Sequence, residues 1–342
     1  MATSIKSQPP LLERWRTALV TGDVSNFDPE RTDAVTKWLI ITRASVFSMT
    51  FTSGLIGALL AAEYGKIAWV PAILSVLGVV IAHASNNIIN DYTDYRNGID
   101  TESYPRTQYG IHPILGGLVA PNTLLVAALI FNLIDAAIMI YLTILRGPVI
   151  IAFAVSGLAL SLAYTGFLKR LALGELTALI VWGPLMIGGT AFAASGEITP
   201  AIWFASLPYG LIVASVLVGK HTDKITADEG VGVKSIPVLL GEKGALLLNK
   251  VMFITFYVLV IGLVAFRLTG PWVLLSFLAI PRLLETWKVY SEPKPESKPE
   301  DWPVWPLWYV GWAMFFNRRA GEFFILGLIL NILVPKLISL FA

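Results

Sequence analysis

The chain has 342 residues, of which 56% are hydrophobic and 14% charged, and its mean hydropathy is +0.70. Soluble proteins carry about 25% charged residues, so this sequence lacks the polar side chains to cover a surface in water, and the bilayer is its expected solvent. A net charge of +2 gives no electrostatic footprint for nucleic acid, and the absence of cysteine excludes disulfides, thiolate zinc sites and cysteine nucleophiles. The only histidines, His83, His112 and His221, are too far apart in sequence to suggest a multi-histidine metal site.

Residues 1–36 are polar and read as a cytoplasmic N-terminal tail. No apolar stretch precedes a small-residue cleavage site there, so they do not resemble a cleavable signal peptide. Residues 37–342 read as a single membrane domain. Apolar runs long enough to cross a bilayer fall at 38–63, 67–90, 121–144, 147–166, 172–194, 199–219, 245–267, 270–288 and 320–341. The expected fold is an all-α integral membrane bundle of nine transmembrane helices. With the N-terminus inside, all Lys and Arg except Lys66, Arg146, Arg267 and Lys336 fall on the cytoplasmic side. That asymmetry obeys the positive-inside rule and places the two acidic motifs below on the cytoplasmic face.

The second run ends in the first motif. At helical spacing His83, Asn87, Asn90, Asp91 and Asp94 share one broad polar face. A polar face on a membrane helix must look into the bundle or a water-filled cavity. Two carboxylates one turn apart, Asp91 and Asp94, with Asp100 beyond Gly98, are able to gather divalent cations, since Mg²⁺ takes one or two carboxylates plus phosphate oxygens and water. The alternative is that they cap a helix end in the interface. The second motif follows the sixth run, with Lys220, His221, Asp223, Lys224, Asp228, Glu229 and Lys234. Mixed carboxylates and lysines suit a metal-bridged diphosphate; taken alone, the segment is equally an ordinary solvated loop. Residues 289–319 read as a flexible cytoplasmic loop leading into an aromatic stretch with Trp302, Trp305, Trp308 and Trp312. That stretch is either an interfacial belt or a cap over a lipid-substrate entrance.

These residues resemble the UbiA superfamily of intramembrane prenyltransferases. The first motif, Asn90-Asp91-x-x-Asp94-x-x-x-Gly98-x-Asp100, is similar to the family's first aspartate motif; Asp228, Gly232, Lys234 and Ser235 are similar to its second. Within the family the chain looks most like the 1,4-dihydroxy-2-naphthoate prenyltransferases of menaquinone synthesis, through the Asn90–Asp94 form, Tyr109 to Gly117 with His112, and Gly174-Glu175 followed by Gly183-Pro184. Two departures stand out. The position four before Asp228, an aspartate in the family, is Lys224, with Asp223 one residue earlier; one residue turns a helical side chain by about 100°. Tyr164 and Lys169 resemble the family's tyrosine–lysine pair with an extra residue between.

The resemblance implies Mg²⁺-dependent transfer of a chain from an allylic isoprenyl diphosphate to an aromatic acceptor, in a multi-pass protein of a bacterial plasma membrane whose active-site cavity opens to the cytoplasm. Asp91, Asp94, Asp100, Asp223 and Asp228 are the implied metal ligands. Lys224, Arg96, Lys169 and Lys234 are the candidates for phosphate oxygens, and Tyr92, Tyr95 and Tyr164 for the allylic cation. Asn90 and Asn87 belong to the implied substrate site, and Asn86, Asn87, Arg43, His83 and His112 are candidates to line an acceptor pocket. Arg43 equally suits snorkelling to the interface. Membrane lipid is an expected partner; nothing implies an obligate protein partner. Rival acceptors are 4-hydroxybenzoate, chlorophyllide, homogentisate and haem. A cation-coupled transporter is the rival from another class, although its site would belong near the bilayer midplane. A CDP-alcohol phosphotransferase would show an Asp-Gly-x-x-Ala-Arg signature, which this sequence lacks.

Overall fold

A computed structural model of the chain describes residues 9–22, 27–28, 31–300 and 302–341, and among these it is helical with no strand. The helices are α1 Leu11–Val20, α2 Ala34–Ile41, α3 Phe47–Glu63, α4 Trp69–Arg96, α5 Pro105–Gln108, α6 Pro121–Arg146 and α7 Val149–Gly166. They continue with α8 Gly174–Ile180, α9 Gly189–Ser195, α10 Pro200–Thr222, α11 Ile225–Gly230, α12 Ile236–Ala265, α13 Ile280–Val289 and α14 Tyr309–Phe341. Pro184 sits in a π-helical stretch, Val181–Gly188, that joins α8 to α9. Wider winding accommodates the hydrogen bond that proline cannot donate.

Seven helical stretches among the described residues are long and apolar enough to cross a membrane: Ala44–Glu63, Trp69–Arg96, Pro121–Arg146, Gly174–Ser195, Pro200–Thr222, Ile236–Ala265 and Tyr309–Ser339. Two of the nine expected runs take other forms. The run at 147–166 is the shorter apolar helix α7. The run at 270–288 is a 3-10 segment, Pro271–Ala279, leading into α13. The last helix starts at Tyr309 rather than 320, because the aromatic stretch has a core to pack against: Phe316 is fully buried, its ring 4.9 Å from that of Phe253.

The chain forms two compact units. The first takes the described residues of 1–48, 81–133 and 295–307, with Ile40, Ile41, Ile88, Leu118 and Leu124 in its core. The segment expected as a polar tail is tied into it. Ala18 of α1 is buried in that core, and Asp33 caps α2 through the Thr36 N–H while accepting from Trp15 Nε1. The second unit takes 49–80, 134–294 and 308–342. Its centre is α10, which packs on α8, the π-helical stretch, α12 and α14. A Cβ at Gly210 would lie 2.8 Å from the Gly183 Cα and from the Leu179 carbonyl oxygen. Only a glycine permits this backbone-on-backbone approach, the small-residue contact that drives helix association in lipid.

Candidate active site

In the first unit the polar face of α4 continues to its C-terminus. Asn87 is buried and its Nδ2 donates to the Thr42 carbonyl at 2.9 Å, fixing the turn that carries Arg43. Gly98, at φ 69°, ends the helix in a conformation that costs a side chain energy. The returning Ile99 and Asp100 N–H groups both bond to the Asp94 carbonyl, at 2.9 and 3.3 Å, so Asp100 folds back onto the helix end. Asp91, Asp94 and Asp100 are all buried.

Asp91 is fully enclosed and held by two arginines. Arg106 donates through Nε to Oδ1 at 3.2 Å and through Nη2 to Oδ2 at 3.1 Å. Arg43 donates through Nε to Oδ2 at 3.2 Å and through Nη2 to Oδ1. The nearest ligand atoms of Asp91, Asp100 and His112 lie within 4.8 Å of one another, yet His112 does not present a lone pair to the group. Its Nδ1 accepts from the Ile114 and Leu115 N–H groups, both at 3.2 Å, which leaves the proton on Nε2. That Nε2 lies 3.3 Å from Asp100 Oδ2 without hydrogen-bond alignment. Tyr92 and Tyr95 are half-buried, and the Tyr95 ring lies 6.4 Å from that of His112.

Two buried oxygens here, Asn90 Oδ1 and Asp100 Oδ2, have no hydrogen-bond partner. Both are oxygen donors, the kind that hard cations such as Mg²⁺ prefer. Arg96, expected among the phosphate ligands, is exposed at the end of α4. Arg106, which the sequence did not single out, is buried beside Asp91 with its guanidinium 5.6 Å from the Tyr109 ring centroid.

In the second unit the offset of the second motif has a geometric outcome. α10 stops at Thr222, and the next two side chains part. Asp223 turns to the start of α14, accepting from the Tyr309 and Val310 N–H groups at 3.1 and 3.0 Å and lying 3.4 Å from Lys294 Nζ. Both its oxygens are thereby engaged as a helix cap. Lys224 turns to Asp228, with Nζ 3.2 Å from Oδ1 and both residues buried. A cavity of about 330 Å³ is lined by Asp223, Lys224, Glu242, Lys294 and Tyr309 among others. Lys234 is exposed and engages through its carbonyl, which accepts from Ala172 at 2.7 Å. Tyr164 is half-buried against Gly174, where a Cβ would meet its ring at 3.0 Å; the Lys169 side chain lies outside the described residues. His221 and Glu175 form a buried pair at 2.6 Å.

Burial raises the Asp223 carboxyl to about 6, against Lys294 and the backbone N–H groups of Val310, Trp308 and Tyr309, which lower it. A carboxyl raised in the folded state contributes stability below its unfolded pKa and loses it as pH climbs through the folded one. Relative to Asp223→Asn, wild-type stability should therefore decline between about pH 4 and pH 6 and level off above about pH 7. Thermal unfolding of both proteins in detergent across that range checks this; a constant difference would show that Asp223 titrates normally.

The profile of the UbiA prenyltransferase family matches residues 50–318. This chain belongs to that family. It is thus an integral membrane prenyltransferase, and the transporter reading falls. The chain is 25% identical to the 1,4-dihydroxy-2-naphthoate octaprenyltransferase of Bacillus subtilis over 260 residues, covering 74% of this chain and 81% of that one. The fold matches the apo structure of a UbiA homolog from Aeropyrum pernix K1 with a TM-score of 0.62 at 22% identity, over 84% of this chain and 97% of the other. It also matches a UbiA homolog from Archaeoglobus fulgidus bound to GPP and Mg²⁺, with a TM-score of 0.59 at 14% identity, over 86% and 99% of the two chains.

Proposed function

We propose that this UbiA-family chain transfers a polyprenyl group from an allylic diphosphate to 1,4-dihydroxy-2-naphthoate, with Mg²⁺ as cofactor and the chemistry at the cytoplasmic face. The observation that carries the metal part is the pair of buried, unbonded oxygens on Asn90 and Asp100 flanking Asp94 in sequence. Asn90, Asp94 and Asp100 are the residues that would hold the ion. Once bound, it offsets the charge that builds on the leaving diphosphate. The resemblance extends diphosphate binding to Asp228 and Lys224 of the second unit, whose ion pair keeps an ammonium in a buried place. Asp223, committed to the start of α14, we leave out of the metal set.

Heterolysis of the C–O bond sends its electron pair to the diphosphate and leaves an allylic cation. The faces of Tyr92 and Tyr95 are the first unit's candidates to stabilise it. The naphthoate ring then attacks through the carbon bearing its carboxylate. Loss of CO₂ returns the bonding pair to the ring and restores aromaticity. The 25% identity to the Bacillus subtilis enzyme across most of its length supports this acceptor.

We also infer nine spans. The 3-10 segment of nine residues and the ten of α13 together rise about 33 Å, against about 30 Å of hydrocarbon. The 18 residues of α7 rise about 27 Å. With nine spans the positive-inside rule puts both acidic motifs on the cytoplasmic side.

The deciding experiment incubates purified protein in nanodiscs with Mg²⁺, geranylgeranyl or a longer prenyl diphosphate, and each acceptor in parallel, read by mass spectrometry. A prenylated, decarboxylated naphthalene is expected. A product from 4-hydroxybenzoate or chlorophyllide instead would overturn the acceptor and keep the family activity.

A further inference from the structure

We infer that Asp91 is not a metal ligand but a positioning residue, the anchor of a paired-guanidinium site in which Arg43 and Arg106 bind an oxyanion of the substrate. A carboxylate offers about four acceptor positions on its two oxygens. At Asp91 all four are taken: each oxygen accepts one bond from Arg43 and one from Arg106. An inner-sphere Mg²⁺ needs one of those lone pairs, and each is filled by a charge-assisted hydrogen bond inside a buried site. A guanidinium as buried as Arg106 is costly to strip of its carboxylate, so the ion would have to displace a bond that the protein strongly favours. Unlike Asp91, Asp100 has an oxygen without a hydrogen bond, as does Asn90.

The arginines have capacity left. A guanidinium carries five N–H donors, and each here spends Nε and Nη2 on Asp91, leaving both donors on Nη1. Neither Nη1 is a buried atom lacking a partner. Two guanidiniums meet at one carboxylate, with Asp100 the next carboxylate nearby, and they present the fork geometry that reads phosphate or carboxylate oxygens. Arg106 reaches the site because Pro105 starts α5 immediately before it, and its guanidinium lies over the Tyr109 ring. In sequence it is 15 residues beyond Asp91, in the four-residue helix α5, too short for any periodicity to flag it.

Only the choice of anion rests on the function proposed above: a diphosphate or the acceptor's carboxylate would supply the same chemistry. The full-length protein in nanodiscs is titrated with Mn²⁺, followed by electron paramagnetic resonance, at saturating inorganic pyrophosphate. Pyrophosphate is then titrated at saturating Mn²⁺, and 1,4-dihydroxy-2-naphthoate separately. Asp91→Asn should leave Mn²⁺ affinity within about twofold of wild type while weakening one anion about tenfold or more. The arm that weakens identifies the anion. Arg106→Gln, which leaves Arg43 on Asp91 and disturbs folding less, should give the same split, and the double variant should be no worse than the worse single. Asp94→Asn should show the opposite pattern, with Mn²⁺ affinity lost. Mn²⁺ binding weakened tenfold by Asp91→Asn would return Asp91 to the metal and overturn the inference. So would pyrophosphate and naphthoate binding both unchanged in Arg106→Gln. Because the readout is binding, a protein that binds both ligands yet makes no naphthalene product would sink the proposed acceptor and leave this inference standing.

Discussion

Asp94→Asn should lower prenyl transfer about 10²–10³-fold, the usual cost of removing one preorganised charge stabiliser from a reaction that separates charge. The substitution preserves shape and one oxygen while removing the negative charge. Asp94 is buried at the end of α4, and its carbonyl accepts the two N–H groups that return the chain after Gly98. Those backbone bonds survive the change, so the loop that carries Asp100 should keep its place. The loss should therefore appear in kcat, with a higher Mg²⁺ concentration needed for half-maximal rate and little shift in the thermal midpoint. Kinetics at several Mg²⁺ concentrations, alongside unfolding in detergent, separate the alternatives. Wild-type rates would remove Asp94 from the site, and a collapsed midpoint would make its role structural.

The parts of this molecule that follow a period were readable from the sequence. Long apolar runs gave seven helices, and the spacing of Asn87, Asn90, Asp91 and Asp94 put them on one polar face. The sequence marked Asp100 as lying beyond Gly98, and the structure adds that Gly98 ends the helix in the left-handed conformation that favours glycine. What the pattern did not carry was partner choice. Asp91 and Asp94 look alike as letters, and nothing in their spacing shows that Asp91 meets two arginines, one of them 48 residues earlier and one in the short helix α5. Asp223 and Lys224 differ by one position, and only the stop of α10 at Thr222 decides that Asp223 caps α14 while Lys224 pairs with Asp228. The start of α14 was missed for a related reason. The aromatic stretch, read as an interfacial belt or a cap over a substrate entrance, begins the helix itself, since Tyr309 and Phe316 are fully buried. The polar average of residues 1–36 likewise hid α1, whose Ala18 is drawn into the first unit's core.

Chelation should have the larger effect still. With EDTA in excess the transfer rate should fall below detection, and Mg²⁺ should restore it, while Ca²⁺ at the same concentration restores far less. The argument starts from the donors. The proposed donors, Asn90 Oδ1, Asp94 and Asp100 Oδ2, sit on a helix end and a tight turn, with no long flexible loop to wrap an ion. Mg²⁺ needs few protein ligands at about 2.0–2.1 Å and completes its shell with phosphate oxygens and water, whereas Ca²⁺ takes six to eight at about 2.3–2.6 Å. A larger ion would still bind but would hold the diphosphate less tightly, and stabilisation of the leaving group is what the chemistry needs. The fold itself should not depend on the ion, since both cores are closed by apolar packing. The thermal midpoint in EDTA should therefore stay near its value in Mg²⁺. Turnover indifferent to chelation would mean that side-chain cations neutralise the diphosphate without an ion, and equal rescue by Ca²⁺ would mean that the ion supplies charge without geometry.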